Sequence, residues 1–544
     1  MVDSVRLRPT DGGPDVVAVE GRRRLSIGPV LAVLLLVAPA LSPVLTTWAN
    51  NFSDVPNLHR LAIVAAVYLA LSVATFWMAR RLVADSRFAT FIAFFVTLVL
   101  TSGGRVLDQQ PWAWRWIVAI TIISVVILII ARLRHWWLLD VILAASAVAL
   151  LIPPLLTGFW STVTSSDSPV PRSSMGPVPE MTDRPDIFLV ILDGYTSLPV
   201  VEKMFDYEDP QFRADLSRNG VELVEPAISP YSMTYLTVPS FLDLDYVLDD
   251  GQRVAGGRSL PDRIGGDNRL VDILSHNGYE ITMVEPGWHM SSCGDAVDIC
   301  VSDPFIDEGV EGVLSQGMLW SFIEPSVGSA FTRGAQQSMA WATNNIERLA
   351  DNGKPDFAFI HVIAPHPPLF MNSECDLVSE ARRLDSEFGE ITGLDTAEAK
   401  ARIEGYVEQV RCVDGFTRRF TASIAGTDSV AFISGDHGSD ALSQLSTAPT
   451  QWSEPQLLDR MSAFVAVKAP PGCDSHTSIV TLAIFRNLIS CATGLDLMPI
   501  DTRAVVVSRA EVDGHPAQMR FIDENEVRRL ASCLSRLGEN LECQ

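Results

Sequence analysis

The sequence predicts an all-α bundle of five transmembrane helices at the N-terminus, followed by a large α/β domain on the outer face of the membrane. Three observations carry this reading. Residues 25–157 are overwhelmingly apolar, whereas the rest alternates short apolar runs with helix-like segments. Arginines concentrate on alternate loops of the apolar part. All eight cysteines lie after residue 290. A chain of 544 residues is long enough for two or three structural units. The expected division is a transmembrane domain over 1–157, a linker over 158–184 and an extracytoplasmic domain over 185–544.

A membrane-spanning helix needs roughly 20 apolar residues. Five stretches meet or approach that length, near 27–47, 61–78, 88–103, 114–131 and 137–157. Arg6, Arg8, Arg22, Arg23 and Arg24 precede the first. Arg80, Arg81 and Arg87 follow the second, and Arg132 and Arg134 follow the fourth. The opposite loops hold only Arg60, Arg105 and Arg115. The excess of positive charge marks the cytoplasmic side, so the N-terminus is inside and an odd number of spans puts the large domain outside. Trp112, Trp114, Trp116, Trp136 and Trp137 sit at helix ends, where interfacial aromatics belong. A competing reading of the first stretch is a cleaved signal peptide, with Arg22–Arg24 as its charged end, and it leaves the sidedness unchanged. The spans carry no acidic relay residues in their middles, which argues against a transporter.

The formal net charge is -24, and most of the acid lies after residue 180. Such a domain repels polyanions, which excludes nucleic acid as a partner and suits the collection of cations. The even number of cysteines, confined to one domain, points to disulfides in an oxidising compartment. Nearest-neighbour pairing is the expected connectivity: 293–300, 375–412, 473–491 and 533–543.

Residues 158–184 are rich in Ser, Thr, Pro and Met and lack periodicity, as a linker does. Beyond them, apolar runs at 186–192, 280–284, 357–363, 429–434, 462–467 and 504–508 read as buried strands. Segments such as 266–277 and 334–351 read as helices between them. The alternation predicts a largely parallel sheet sandwiched by helices, with a site at the carboxyl ends of its strands.

Three of these strand ends carry polar groups: Asp193 after IFLVIL, Asp436 and His437 after VAFIS, and His366 after FAFIHVI. Singly, Asp-Gly, Asp-His-Gly and Pro-His-Pro are ordinary turn and loop sequences. Together they would bring two carboxylates and imidazoles to one sheet edge, where a cation would offset the buried charge. The stretch SPYSMTYLTVPS at 229–240 supplies candidate nucleophiles in Ser229, Ser232, Thr234, Thr237 and Ser240. Residue chemistry alone does not choose among them. His361, at an odd offset within its run, is assigned to the core.

The succession PDIFLVILDGYTS, the threonine-containing segment, HVIAPHPP and ISGDHGS resembles the alkaline phosphatase superfamily. Within it, the chain resembles the sulfatase-like branch that includes lipoteichoic acid synthases and phosphoglycerol or phosphoethanolamine transferases. Those families also carry five N-terminal transmembrane helices and an extracytoplasmic catalytic domain. The resemblance implies a sulfatase-like fold, Thr234 as nucleophile, and Asp193, Thr234, Asp436 and His437 as ligands of one divalent metal ion. Mn²⁺ is the favoured ion, with Mg²⁺ or Zn²⁺ as alternatives. It also implies that His366 and His289 contact substrate. Asp193 stands where the synthases and phosphoethanolamine transferases typically have Glu. The C/S-x-P-x-R motif of true sulfatases does not occur near residue 234. The implied activity is transfer of a phospho-headgroup from a membrane lipid donor to an envelope glycan or lipid, through a phosphothreonine. Hydrolysis of a phosphodiester or sulfuric ester, and a non-catalytic membrane-anchored binding role, are the alternatives.

Overall fold

The computed structural model describes residues 28–50, 58–103, 136–164, 178–248, 259–302, 308–378 (less 319, 321–329, 351 and 352) and 397–543 (less 443, 444, 446, 475, 477, 509, 510, 513, 514, 517, 539, 540 and 542). The N-terminal part supplies helices α1 (Pro29–Asn50), α2 (Leu58–Leu82), α3 (Ser86–Ser102) and α4 (Trp136–Thr164). Within α1, α2 and α4, the segments Val30–Ala49, His59–Leu82 and Leu143–Trp160 are long and apolar enough to cross a membrane, and α3 is a shorter apolar helix of 17 residues. The expected span at 114–131 lies outside the described residues. Helix α4 runs on to Thr164, so residues 158–164 of the expected linker are helical.

The helices pack through small and aromatic residues. Leu35 and Ala38 of α1 cluster with Phe91 and Phe94 of α3 and with Leu143 and Ala147 of α4. A Cβ added to Gly158 of α4 would fall 2.1 Å from the Trp48 ring at the end of α1. Those two pairings, at both ends, make α1 and α4 parallel. Ser72 of α2 donates to Leu36 O (2.7 Å), while Leu61 and Val64 of α2 pack on Ala40 and Val44, so α2 runs antiparallel to α1. Pro43 lacks the N–H that would reach Pro39 O one turn back. The hydroxyl of Thr101, in α3, donates to that carbonyl instead at 2.8 Å.

The second part is built on a seven-stranded sheet: β1 (Ile187–Leu192), β2 (Glu222–Leu223), β3 (Glu280–Val284), β4 (Ile299–Val301), β5 (Asp356–Val362), β6 (Val430–Ser434) and β7 (Val465–Lys468). The order is β2-β7-β6-β1-β5-β3-β4. β1 pairs in parallel with both β5 and β6, and β3 pairs in parallel with β4 and β5. Every residue of β1, β5 and β6 is buried, which is why these strands read as unbroken apolar runs. The sheet is largely parallel, as expected, and two of the expected strands depart from that pattern. The run at 462–467 becomes β7, antiparallel to β6, so the sheet is mixed. The run at 504–508 forms Ala504–Val507, which pairs antiparallel with Met519–Ile522 in a separate ribbon. An apolar run reports burial, not the direction or partner of the strand it forms.

The four disulfides link Cys293–Cys300, Cys375–Cys412, Cys473–Cys491 and Cys533–Cys543, the nearest-neighbour pattern expected.

One buried polar contact in this framework titrates near neutrality. Asp414, in the helix Ala397–Ser423, accepts hydrogen bonds from Tyr195 Oη (2.6 Å) and Tyr207 Oη (3.2 Å). Burial pushes its carboxyl up to about 7. A carboxyl raised on folding stabilises the fold below its unfolded value of about 4, and that contribution is lost as pH rises through the folded value. Asp414→Asn, which stays neutral, should therefore raise the thermal midpoint of the full chain at pH 8, with the gain narrowing below pH 7 and gone below about pH 4. Calorimetry across that range checks it, and a gain independent of pH would contradict the assignment.

Candidate active site

The carboxyl edge of the central strands carries the site. β1 ends at Leu192, and Asp193 follows directly. Gly194 then turns the chain at φ 73°, and its N–H donates to Asp436 Oδ1 at 2.9 Å. A Cβ here would meet the His366 Cα at 3.2 Å, so the Asp-Gly pair serves both the turn and the close approach of the His366 loop. Asp436 and His437 follow β6, the neighbour of β1. Thr234 is the first residue of helix α5 (Thr234–Asp243) and is half-buried, with Oγ1 2.9 Å from His437 Nε2.

His437 is fully buried, and its Nδ1 lies 2.9 Å from Gly438 O. A proton on Nδ1 satisfies that carbonyl and leaves the Nε2 lone pair facing the site, the tautomer a metal ligand requires. Around Nε2 stand Asp436 Oδ2 at 3.1 Å, Asp193 Oδ1 at 3.7 Å and Arg460 Nη2 at 3.2 Å. The remaining Arg460 donors are anchored on backbone, Nε on Ser232 O (2.8 Å) and Nη1 on Gly438 O (3.2 Å).

Of the residues expected from sequence, the structure brings Asp193, Thr234, His366, Asp436 and His437 together. His289 opens a short 3-10 turn, His289–Ser291, and its side chain lies outside the described part of the structure. His361 requires a correction. It is buried, as a core residue would be, but the ladder pairs it with Ile191, two residues before Asp193 and on the same face. Its Nε2 lies 3.3 Å from Asp193 Oδ2, and its Nδ1 lies 3.2 Å from Ser291 Oγ. The strand register was the signal that could have found it. Arg460, at the end of the helix Glu454–Met461, belongs to no motif and carried no signal.

The electrostatics single out a cation. Burial opposes the charge on Asp193, but His366, His361 and His437 hold its carboxyl below the usual range. Burial and then the Asp193 charge push Asp436 well above it. Burial lowers both His366 and His437, and Arg460 lowers His437 further. Asp193 Oδ1 and Asp436 Oδ2 are buried without a hydrogen-bond donor, an arrangement that is costly unless a cation compensates it. One donor atom each from Asp193, His366 and His437 lie within 4.8 Å of one another. Carboxylate oxygens with imidazole nitrogens fit a divalent ion such as Mn²⁺ or Zn²⁺. His366, expected at the substrate, is thus also within reach of an ion.

A family model described as Sulfatase matches residues 185–460. No curated protein matches the chain. Among solved structures, the chain is similar to the integral membrane lipooligosaccharide phosphoethanolamine transferase A of Neisseria meningitidis (14% identity, 85% of this chain and 95% of that chain covered, TM-score 0.36). It is also similar to a 2-O GAG sulfatase (11% identity, 63% and 84% covered, TM-score 0.38). A third is the C-terminal periplasmic domain of EcEptC from Escherichia coli (9% identity, 64% and 97% covered, TM-score 0.38). Likenesses at these TM-scores assign no residue a role.

Because burial and the Asp193 charge push Asp436 up, loading a divalent ion into chelator-treated protein should release protons. Titration calorimetry in buffers of different ionisation enthalpy reads this directly. Identical apparent enthalpies in HEPES and Tris would show that Asp436 carries no proton to release.

Proposed function

The chain belongs to the sulfatase family, and from that membership we propose that it is a membrane-anchored, metal-dependent phosphotransferase. It would move a phospho-headgroup, such as phosphoglycerol or phosphoethanolamine, from a lipid donor to an envelope glycan or lipid. The observation that carries this reading is the hydroxyl of Thr234 at the head of α5, 2.9 Å from His437 Nε2 and beside the buried carboxylates. A sulfatase of the formylglycine type needs Cys or Ser in C/S-x-P-x-R, and the chain has threonine without that motif.

Asp193, Asp436, His437 and the Thr234 oxygen would hold the divalent ion, Mn²⁺ in preference, with His366 within reach as a further donor. When bound, the ion supplies a lowered pKa for the Thr234 hydroxyl and positive charge for the phosphoryl oxygens. Thr234 is half-buried, so water can take its proton. Oγ1 then attacks phosphorus, the bond to the diacylglycerol oxygen breaks, and a phosphothreonine diester forms. The N-terminus of α5 favours an anion beside the nucleophile. His366 would hydrogen-bond the phosphoryl group or protonate the departing oxygen. An acceptor hydroxyl attacks the same phosphorus in the second step and releases Thr234.

The helices support the membrane part. α1 and α4 end together, α2 runs against them, and α3 runs with them, its Phe91 and Phe94 beside Leu35 and Ala38 and its last turn bonded through Thr101 to Pro39. The chain thus leaves α3 and enters α4 at opposite ends of the bundle, as one further span near 114–131 would require. Five spans with the N-terminus inside then leave the catalytic domain outside, beside the lipid.

Thr234→Ala should reduce turnover of a headgroup-labelled phospholipid by at least about a thousandfold, as expected for loss of a covalent nucleophile, and should abolish the labelled protein adduct. Thr234→Ser should keep the adduct. Full activity in the alanine variant refutes the nucleophile. Label appearing only in water, whatever acceptor is present, would make the chain a phosphodiesterase instead.

A further inference from the structure

The catalytic domain reaches the helix bundle through a segment that no part of the chemistry uses. Helix α6 (Glu308–Leu314) and the turn after it leave the α/β domain and lie on one end of the bundle. Val310 and Val313, three residues apart on one face, are buried with Ala40 and Val44 of α1 and Leu61, Val64 and Tyr68 of α2. Gln316 is buried, and its Nε2 donates to Thr47 Oγ1 (2.8 Å) and Pro43 O (3.3 Å) of α1, and to Gly312 O (2.9 Å). Gly317 lies against α3, where a Cβ would fall 2.5 Å from Leu100 O. Met318 and Trp320 are buried beyond it. At its other end the segment is tied back to the catalytic domain, since Glu311 Oε2 accepts from Ala330 N (2.5 Å) at the start of the helix Ala330–Ala350, which packs on β5.

We propose that residues 308–320 are a specificity-determining strap that fixes the height and orientation of the active site over the bilayer, selecting membrane-borne over water-soluble phosphodiesters. The proposal rests on the lipid-donor reading above. Pro43, Thr47, Leu61, Val64, Leu100 and the strap share one end of the bundle, the end assigned outside by the arginine pattern. A buried amide bonded to a helix carbonyl and hydroxyl gives this contact one geometry, which apolar packing alone would not. A membrane-borne ester can approach the site from one side only, whereas a dissolved one can enter at any tilt. Loosening the strap therefore costs encounter with lipid and spares the chemistry.

The test uses the full chain in lipid nanodiscs with two substrates, a headgroup-labelled phospholipid in the disc and dissolved bis(p-nitrophenyl) phosphate. Gln316→Ala should lower kcat/KM for the lipid about tenfold and leave the soluble diester within about twofold, which also shows that the variant folds. Thr47→Val, which removes the partner hydroxyl from the bundle side, should give a similar loss, and the double variant should be no worse than Gln316→Ala alone. An equal fall on both substrates, no fall on lipid, or additive losses overturns the strap. An unaltered chain that turns over the soluble diester and not the lipid fails differently, and overturns the lipid-donor reading on which the strap depends.

Discussion

Two carboxylates, Asp193 and Asp436, are buried at the ends of neighbouring strands with an undonated oxygen each. Burial of one charge in a protein interior costs several kcal/mol after relaxation, and a second like charge beside it raises the cost. The surroundings answer this in stages. The Gly194 N–H satisfies one Asp436 oxygen, three histidines lower Asp193, and burial with the Asp193 charge pushes Asp436 up. The Gly438 carbonyl turns the His437 lone pair inward instead of a proton. None of these satisfies the two bare oxygens. A divalent cation would satisfy both, favour the ionised Asp436 and sit beside Thr234, so the demands of burial and of the proposed chemistry would coincide.

The same logic explains what the sequence made legible. Strands buried on both faces have no alternative to continuous apolar runs, so IFLVIL, FAFIHV and VAFIS announced the sheet, and polar residues at their ends announced its edge. Asp193, His366, Asp436 and His437 were therefore readable together. His361 was not, because a histidine inside an apolar run has the same appearance whether it faces packing or a carboxylate. Only the β1–β5 register, Ile191 opposite His361, separates the two. Arg460 was invisible for another reason. Its three anchors, Ser232 O, Gly438 O and His437, are distant in sequence and two of them are backbone, which leaves no trace in residue identity. The direction of β7 was hidden similarly, since a buried run carries no sign of its polarity.

Arg460 changes how the site's charge should be counted. A buried guanidinium, fixed by two backbone carbonyls and bonded to His437, supplies a permanent positive charge at the site. It opposes protonation of His437 and so protects the inward lone pair. With one divalent ion, the site would present three positive charges against two carboxylates, a net positive field to receive a phosphodiester anion. The domain's overall acidity does not conflict with this. Most of the described acid lies on exposed or half-buried residues, where solvent and salt screen it within about 10 Å, whereas the buried charges act in a low dielectric.

A membrane anchor by itself only raises local concentration. A domain on a flexible tether would sample many orientations, and few would present a concave site to a headgroup. The two parts are joined by the chain running on from α4, and also by the return of residues 308–320 to α1, α2 and α3. The second is the informative one, because it comes from the middle of the catalytic domain and is bonded at both ends, through Gln316 to Thr47 and through Glu311 to Ala330. Two points of attachment remove most of the rotational freedom one would leave, and that ordering is met once, at folding, rather than at each encounter with substrate. On the proposed function, the bundle and the site edge would then act as one surface, with the orientation of Thr234 toward the lipid set by packing among helices that take no part in the chemistry.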